Sequence, residues 1–464
     1  MTATFSALKH KISRLEATRI VGHVQSIAGL SLTVAGLERA AGIGQRCRVF
    51  GRHGAVEGEV VGADATGLRL LPFGKWDGIT VGDSVELILN GEGIFPDDSW
   101  IGTVIDALGR PLSDAPRFKR GGGRAASRNA PPPAFERRRV GEKLETLIKC
   151  VDVFTPICRG QRMGIFAGSG VGKSTLMAML ARNTDADVIV IGLIGERGRE
   201  VREFIQEDLG EKGMARSVVV VSTGDEAPLL RRQAAWTATA VAEHFRAQGR
   251  QVLLLIDSVT RFAMAQREIG LANGEPPTAR SYPPTVFSEL PHLLERAGPG
   301  REGEGDITGI FTVLVDGDDF NEPIADAVRG IVDGHIVLDR HVAERNRYPA
   351  INVQRSISRM LPACHTPDQQ RIMGEARRAL GKYADMEDLI RVGAYKPGSD
   401  PDTDAAIRFF ETADAFLGQA RGETMTAEQS FAELYRMLLE ADFDVPLASK
   451  AVVDNSPSEE MAAE

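Results

Sequence analysis

A glycine-rich segment at 167–174, with the sequence AGSGVGKS, has the residue types needed to bind a chain of phosphates. Its glycines allow consecutive backbone N–H groups to converge on phosphate oxygens, and Lys173 can reach the β and γ phosphates. The hydroxyl of Ser174 is a ligand for magnesium. The usual pattern begins with glycine where this chain has Ala167, but an apolar strand precedes the segment and a helical stretch follows it. The residues expected to hold the nucleotide are Gly168, Ser169, Gly170, Val171, Gly172, Lys173, Ser174 and Thr175.

Two carboxylates follow other apolar segments of the same region. VLLLID ends in Asp257, which can reach a magnesium shell held by Ser174 if both lie at the carboxyl edge of one sheet. The alternative is that Asp257 only caps the next helix. Glu196 follows VIVIGLI and is a candidate base, because hydrolysis needs a carboxylate that orients or deprotonates water. Arg197 and Arg199 beside it either stabilise phosphoryl charge or are solvated, and spacing does not decide between these roles.

Short apolar segments alternate with helical stretches after about residue 160. Fully apolar strands are typical of parallel sheets that are buried on both faces. The pattern therefore predicts a doubly wound α/β domain at the centre of the chain. The predicted strands are MGIFA, VIVIGLI, VVVV, VLLLID and IFTVLV.

The N-terminal part of the chain has two different patterns. Residues 1–19 have apolar residues at helical spacing among basic ones, which is typical of a helix that docks a partner or a membrane surface, or of a frayed tail. Short alternating segments over 20–92, punctuated by glycine, predict a small β-barrel or sandwich. Binding of single-stranded nucleic acid there is disfavoured, because this stretch offers few aromatic side chains for base stacking, namely Phe50, Phe73 and Trp76.

Two further segments lie outside these patterns. Residues 117–139 have eight basic residues, one acidic residue and GGG and PPP runs, so a mobile basic loop is expected, either solvated or bound to an anionic partner. After about 365 the sequence is helical, and the last dozen residues are expected to be disordered. The predicted apolar helix faces are formed by Ile372, Ala376, Leu380 and Tyr383, and by Phe431, Leu434, Tyr435, Leu438 and Leu439.

Composition restricts the class of protein. The chain has 464 residues and a formal net charge of -9, which indicates two or three domains and disfavours a surface that binds nucleic acid throughout. Its 4 cysteines include no C-x-x-C pair, so neither a zinc finger nor a disulfide framework is predicted. No segment approaches the roughly 20 apolar residues of a membrane span. A reducing, cytoplasmic location is expected.

Longer blocks of the sequence carry a resemblance to a known family. In order and spacing they resemble the hexameric rotary-type ATPases, which include the catalytic subunits of F-type ATP synthase. The unbroken IFAGSGVGKSTL, the SYPPTVFSELPHLLERAG block and VGAYKPGSDPDTDAAI resemble the flagellar and virulence type III protein-export ATPases more closely. The resemblance covers about 20–440. The other blocks are GERGREV, IDSVTRFA, DGHIVLDR and RYPAINVQRSISR.

The resemblance implies roles for the residues near the phosphates. Lys173 and Ser174 would bind phosphates and magnesium, and Glu196 would polarise the attacking water. Arg197 and Arg261 would approach the γ-phosphate. The non-catalytic synthase subunits have glutamine at this position, whereas this chain has Glu196. A role in binding nucleotide without hydrolysing it is therefore disfavoured.

The resemblance also assigns residues outside the phosphate loop. Glu200 and Asp257 would order the magnesium shell through water, and Tyr348 would stack on adenine unless it is a core tyrosine. Arg359 would be an arginine finger that reaches the neighbouring subunit's site, which requires a ring of subunits. The sequence departs from the family pattern at one position before the RGQR segment. The family usually has Thr-Gly where this chain has Thr146 and Leu147.

These inferences define the expected architecture. A docking segment at 1–19 would precede a β-barrel at 20–92, and a RecA-like P-loop ATPase domain with a mainly parallel sheet would occupy 93–365. A helical domain at 366–450 and a disordered tail at 451–464 would complete the chain.

The expected function is Mg²⁺-dependent ATP hydrolysis that energises type III protein export for assembly of the flagellum. The resemblance implies a homohexamer at the cytoplasmic face of the inner membrane, a stator-like regulatory protein, a central stalk, export-gate proteins and chaperoned substrates. The alternatives are a virulence injectisome ATPase, a ring helicase of the transcription-terminator kind, and an assembly module without turnover. Stimulation by polycytidylate would identify the helicase.

Overall fold

The computed structural model describes residues 19–89, 93–113, 117–315, 317 and 319–448. The predicted docking segment at 1–19, apart from its last residue, and the predicted tail at 451–464 lie outside these residues. The described residues form two compact units. The first comprises those up to Gly93 together with 225–232 and 264–286, and the second comprises the rest.

The N-terminal strands close into an antiparallel barrel in the order β1-β2-β5-β4-β3-β6. Leu32 and Val34 are buried, whereas Ser31 and Thr33 between them are partly exposed, so the alternation predicted from the sequence is the in-out alternation of a barrel strand. The barrel predicted from the sequence is therefore confirmed. Its strands are β1 (Val21–Ala28), β2 (Ser31–Ala35), β3 (Arg46–Gly51), β4 (Gly54–Asp64), β5 (Gly67–Pro72) and β6 (Ser84–Leu87).

The second unit is built on a mainly parallel sheet in the order β17-β16-β10-β15-β13-β11-β12-β7, with β14 pairing β15. Among the strand pairs of the described residues in this sheet, those of β14 with β15 and of β17 with β16 are antiparallel and the others are parallel. Strands β8 and β9 form a separate pair. The α/β prediction is thus confirmed. The strands are β7 (Thr103–Asp106), β8 (Lys143–Leu144), β9 (Ile157–Cys158), β10 (Arg162–Ala167), β11 (Val188–Glu196), β12 (Ser217–Thr223), β13 (Val252–Asp257), β14 (Gly298–Pro299), β15 (Asp306–Leu314), β16 (Gly334–Leu338) and β17 (Ile357–Ser358).

Helices connect these strands and form the C-terminal part of the chain. A π-helical turn, Phe204–Leu209, joins α3 to α4. No helix of the described residues is long and apolar enough to cross a membrane. The helices are α1 (Lys149–Phe154), α2 (Lys173–Asn183), α3 (Gly198–Glu203), α4 (Gly210–Met214), α5 (Pro228–Ala247), α6 (Val259–Ala272), α7 (Pro284–Leu294), α8 (Pro323–Ile331), α9 (Arg340–Glu344), α10 (Pro367–Arg391), α11 (Pro401–Leu417) and α12 (Ala427–Glu440).

The C-terminal helices share one hydrophobic core with the sheet. Ile372 and Ala376 of α10, and Phe431 of α12, are buried in the same cluster as the sheet residue Ile191. The predicted apolar face of α12 is wrong at one position, because Leu439 is exposed. Leu438 beside it fills the core, and a helix of 3.6 residues per turn directs its neighbour away from that face.

The basic segment 117–139 has no helix or regular strand, but the structure does not support the predicted mobile loop. Its arginines bind groups of the second unit: Arg138 lies 2.7 Å from Asp306, and the Arg128 guanidinium lies 4.1 Å from the Trp236 ring centroid. The Phe118 ring stacks on Trp100. These contacts explain why the segment is ordered despite its glycine and proline runs.

A buried ion pair provides a test of this anchoring. Arg296 donates to both carboxylate oxygens of Glu243, at 2.9 and 2.8 Å, and to the carbonyl oxygen of Ser127 at 2.7 Å. Removing one partner of a buried pair leaves the other charge without compensation. We expect Arg296→Met to lower the free energy of unfolding by about 3–5 kcal/mol in urea denaturation. Arg436→Met, at an exposed ion pair on α12, is the matched control and should leave the urea midpoint unchanged.

Candidate active site

The predicted chemical groups come together at the carboxyl edge of the parallel sheet. The glycine-rich loop follows β10, Glu196 ends β11 and Asp257 ends β13. Strand β15 lies between β10 and β13 and pairs in parallel with both. Because these strands run in the same direction, their ends meet at one edge, which is the usual ligand position of open α/β sheets.

The glycine-rich loop has the backbone shape of a phosphate-binding site. Gly170 and Gly172 have φ angles of 78° and 89°, in the left-handed region that favours glycine. Helix α2 begins at Lys173, directly after Gly172, so its free N–H groups and positive dipole end face the loop. A Cβ atom at Gly172 would lie 3.2 Å from Cδ1 of Tyr348. The positive φ therefore favours glycine there, and a larger residue would also press on the Tyr348 ring.

Lys173 is enclosed by the two candidate carboxylates. Its Nζ contacts Oδ1 of Asp257 and lies 3.4 Å from Oε1 of Glu196. Burial alone would lower the pKa of Lys173, but the charges of Asp257 and Glu196 outweigh burial and raise that pKa above its ordinary value. Lys173 is therefore a cation whose charge is compensated within the protein.

The surroundings of Glu196 disfavour its charged form, whereas those of Lys173 favour the charged form. Burial raises the pKa of its carboxyl group, Asp257 raises it further, and Lys173 partly opposes both effects. The preceding Gly195 has a φ of 71°, and a Cβ atom there would lie 3.0 Å from Cβ of Arg261. The absence of a side chain at Gly195 therefore lets the Arg261 side chain pack against the backbone directly before Glu196.

The loop and these side chains surround a cavity of about 430 Å³. Arg197 and Glu200, which are 3.2 Å apart, lie at its exposed side, because 85% of the Arg197 side chain is accessible to solvent. The cavity combines backbone N–H groups, cations and the carboxylates of Glu196 and Glu200, which are the groups required for phosphoryl transfer. Its lining residues are Gly168, Ser169, Gly170, Gly172, Lys173, Ser174, Thr175, Glu196, Arg197, Glu200, Arg261, Leu314 and Val315.

A smaller cavity of about 70 Å³ is lined by the groups predicted to order magnesium. Ser174, Glu200 and Asp257 border it together with Glu196, so its polar groups are all oxygen donors. No cluster of three or more metal-binding side chains forms within the described residues. The rest of the cavity lining is apolar. Oxygen ligands on one side of a small cavity, without a complete protein cage, fit magnesium, which keeps several waters and takes phosphate ligands.

Four of the predicted site residues lie outside the lining of the larger cavity, and one of them, Asp257, lines the smaller cavity. Val171 is a buried residue of the loop itself, and Tyr348 is exposed beside Gly172. Arg359 is exposed at the end of β17, the outermost strand of the sheet, where its amide donates to the carbonyl of Asp333. The structure thus does not bring Arg359 to the cavity of its own chain.

The structure adds residues that sequence reasoning missed. Thr312 of β15 donates a hydrogen bond of 2.7 Å to Oδ1 of Asp257. Its signal in the sequence is a single hydroxyl in the apolar segment IFTVLV. Arg340, which begins α9, has Nη2 3.5 Å from the Ser169 carbonyl oxygen. No local pattern distinguishes Arg340 from a surface arginine.

Comparison with known proteins agrees with this geometry. Residues 148–358 match the ATP synthase alpha/beta family, nucleotide-binding domain, and residues 365–436 match the T3SS EscN ATPase C-terminal domain. The chain is 50% identical to the flagellum-specific ATP synthase of Caulobacter vibrioides over 92% of this chain and 98% of that protein. It is 43% identical to the type 3 secretion system ATPase of Pseudomonas syringae pv. tomato, over 92% and 96%.

A solved structure shows the same fold. The assembled ATPase EscN of enteropathogenic E. coli, in complex with its central stalk EscO, matches with a TM-score of 0.81 and 38% identity. The match covers 90% of this chain and 100% of that one. The chain therefore belongs to the type III protein-export ATPases of the ATP synthase alpha/beta family.

Proposed function

We propose that the protein hydrolyses ATP with magnesium to energise type III protein export for flagellum assembly. The observation that carries the chemistry is the convergence of Lys173, Glu196 and Asp257 beside a phosphate-binding loop. The flagellar assignment is supported by 50% identity to a flagellum-specific ATP synthase over nearly the whole chain.

The residues divide the chemistry between them. On ATP binding, Lys173 exchanges the carboxylates of Asp257 and Glu196 for phosphate oxygens, which frees Glu196 to orient and polarise a water. Arg261 and Arg197 stabilise the charge that develops on the transferred phosphoryl group. Ser174 would hold magnesium directly, and Asp257 and Glu200 would hold it through waters. When bound, the metal neutralises charge on the β and γ phosphates.

The proposed assembly is a homohexamer in which each Arg359 serves the neighbouring site. The barrel segment 20–92 would hold the ring together, and the helical segment 366–450 would face a central stalk. The related EscN forms a complex with a central stalk, EscO, which supports a stalk partner here. The N-terminal segment would dock a stator-like regulator at the inner membrane. Hydrolysis would release and unfold chaperoned substrates at the export gate. No nucleic-acid partner is proposed.

The cellular test is deletion of the gene followed by return of unaltered and Glu196→Gln copies. We expect deletion to remove swimming motility and secreted flagellin, and only the unaltered copy to restore them. A related ATPase of Pseudomonas syringae acts in a type 3 secretion system. Normal motility with loss of secreted virulence effectors would therefore assign the protein to an injectisome instead.

Tyr348 provides a separate test of the adenine assignment. The residue is 40% exposed and its ring lies beside Gly172, so the ring can stack on a base above the phosphate loop. We expect Tyr348→Ala to weaken ATP binding about tenfold, because an aromatic pair contributes up to about 1.5 kcal/mol beyond area burial. Tyr348→Phe keeps the ring and should bind normally. Equilibrium titration with ATP and with inorganic triphosphate separates base recognition from phosphate recognition.

If Tyr348 stacks on adenine, Tyr348→Ala leaves triphosphate binding unchanged. Equal loss for ATP and triphosphate would show instead that the ring only supports the loop at Gly172.

A further inference from the structure

Thr312 lies at the centre of the sheet, between the strands that lead to the phosphate loop and to Asp257. It is completely buried on β15, opposite Ile165 of β10, and one residue beyond the pairing of Phe311 with Ile256 of β13. Its hydroxyl is 2.7 Å from Oδ1 of Asp257 and 3.4 Å from the carbonyl oxygen of Ile256. Because a hydroxyl has one proton and the carboxylate is closer and charged, the proton goes to Asp257.

The hydrogen bond from Thr312 fixes the orientation of the Asp257 carboxylate. Thr312 and Lys173 both donate to Oδ1 of Asp257. This arrangement leaves the other oxygen, Oδ2, for a water of the magnesium shell. When Lys173 turns to the phosphates, Thr312 remains as the donor that keeps Oδ1 in place. The contact therefore matters most when nucleotide is bound.

We propose that Thr312 is a positioning residue that fixes the Asp257 carboxylate and thereby sets the magnesium affinity of the ATP-bound site. The proposal rests on the proposed function, in which Asp257 orders water on the metal. Residues that orient the groups around a metal commonly change its affinity by about 10- to 100-fold when they are replaced. Thr312 has this relation to Asp257, which it touches without lining either cavity of the site.

The test uses Thr312→Val, which keeps the branched shape and removes the hydroxyl. Binding of a fluorescent ATP analogue to the full chain is measured as magnesium is increased from an EDTA-treated solution. We expect the magnesium concentration at half-saturation to rise about tenfold, while binding in EDTA stays unchanged. Thr312→Ser keeps a hydroxyl and should restore the normal midpoint. Thr312→Ala is the second variant if valine prevents folding.

Two further variants separate the possible failures. Thr239→Val is the matched control, because Thr239 is also completely buried but donates to the Ala235 carbonyl within α5. Its magnesium midpoint should stay normal. Asp257→Asn should shift the midpoint at least as far as Thr312→Val does. Urea midpoints are measured for every variant, so that a general loss of folding is recognised.

The outcomes distinguish the inference from the proposed function. If Asp257→Asn shifts the midpoint and Thr312→Val does not, the role of Thr312 is wrong and that of Asp257 stands. If neither shifts it, the proposed role of Asp257 fails together with the inference. Equal weakening of binding in EDTA and in magnesium would show a structural effect of Thr312 and would also overturn the inference.

Discussion

Glu196→Gln is expected to reduce the turnover number by about 10²- to 10⁴-fold, the usual contribution of a positioned base. Glutamine has nearly the same shape but cannot accept a proton from water. ATP affinity should stay unchanged or rise, because the substitution removes a negative charge beside the phosphate cavity. Phosphate release at saturating ATP measures the first effect, and titration with a fluorescent nucleotide measures the second.

Glu203→Gln is the control for this substitution. Glu203 lies one turn along α3 from Glu200, and its partner is the exposed Arg199, so its charge contacts neither cavity. It should retain normal turnover. If Glu196→Gln also retained turnover within about tenfold, Glu196 would not be the base. Glu200, which lines both cavities, would then be the next candidate.

The pH dependence follows from the environment of Glu196. Burial and Asp257 raise its pKa, and the base acts as the ionised carboxylate. Activity should therefore be lost on acidification at a higher pH than for an ordinary glutamate. The acidic limb of kcat/KM, which reports the free enzyme, should show this shift. The residual activity of Glu196→Gln should lack that limb.

The sequence was sufficient to predict the five long apolar strands of the sheet, β10 to β13 and β15, but not its short strands β7, β14, β16 and β17. An apolar strand buried on both faces is recognisable from its composition. Strands β11 and β13 end in carboxylates that apolar packing cannot explain, and β10 leads directly into the glycine-rich loop. Parallel direction then requires those groups to meet. This is why the sequence alone places Lys173, Glu196 and Asp257 at one site.

Other features depend on contacts that no local pattern encodes. Leu147 occupies the position where the family usually has glycine, and it keeps the left-handed conformation, with φ of 57°. Its carbonyl accepts a hydrogen bond of 2.7 Å from Gln419, 272 residues away, so tertiary contacts hold the turn. The arginines of 117–139 likewise meet Asp306 and Trp236 only in the folded chain. Composition alone indicated a solvated loop there.

Replacement of Arg359 is expected to have the second large effect on turnover, because of where this residue lies. Its backbone is fixed to Asp333, whose carboxylate accepts two bonds of 3.1 Å from Arg162, whereas its side chain is exposed. A rigid backbone with an exposed guanidinium is suited to reach the site of an adjacent subunit. Arg359→Ala should lower turnover by about 10³-fold or more, as removal of an arginine finger does. Arg391→Ala, at another exposed arginine, should have little effect.

Mixing two inactive variants tests whether the site is shared. Lys173→Ala removes the lysine that binds the phosphates, and Arg359→Ala removes the arginine finger. A ring made of either variant alone should therefore not hydrolyse ATP. In rings mixed at equal amounts, about one quarter of the interfaces combine an intact Lys173 with an intact Arg359 from the neighbour. Partial recovery of phosphate release is therefore expected in mixtures and not in either pure variant. Native mass spectrometry verifies that mixed rings form. Mixed rings without recovery would mean that Arg359 does not act on the neighbouring site.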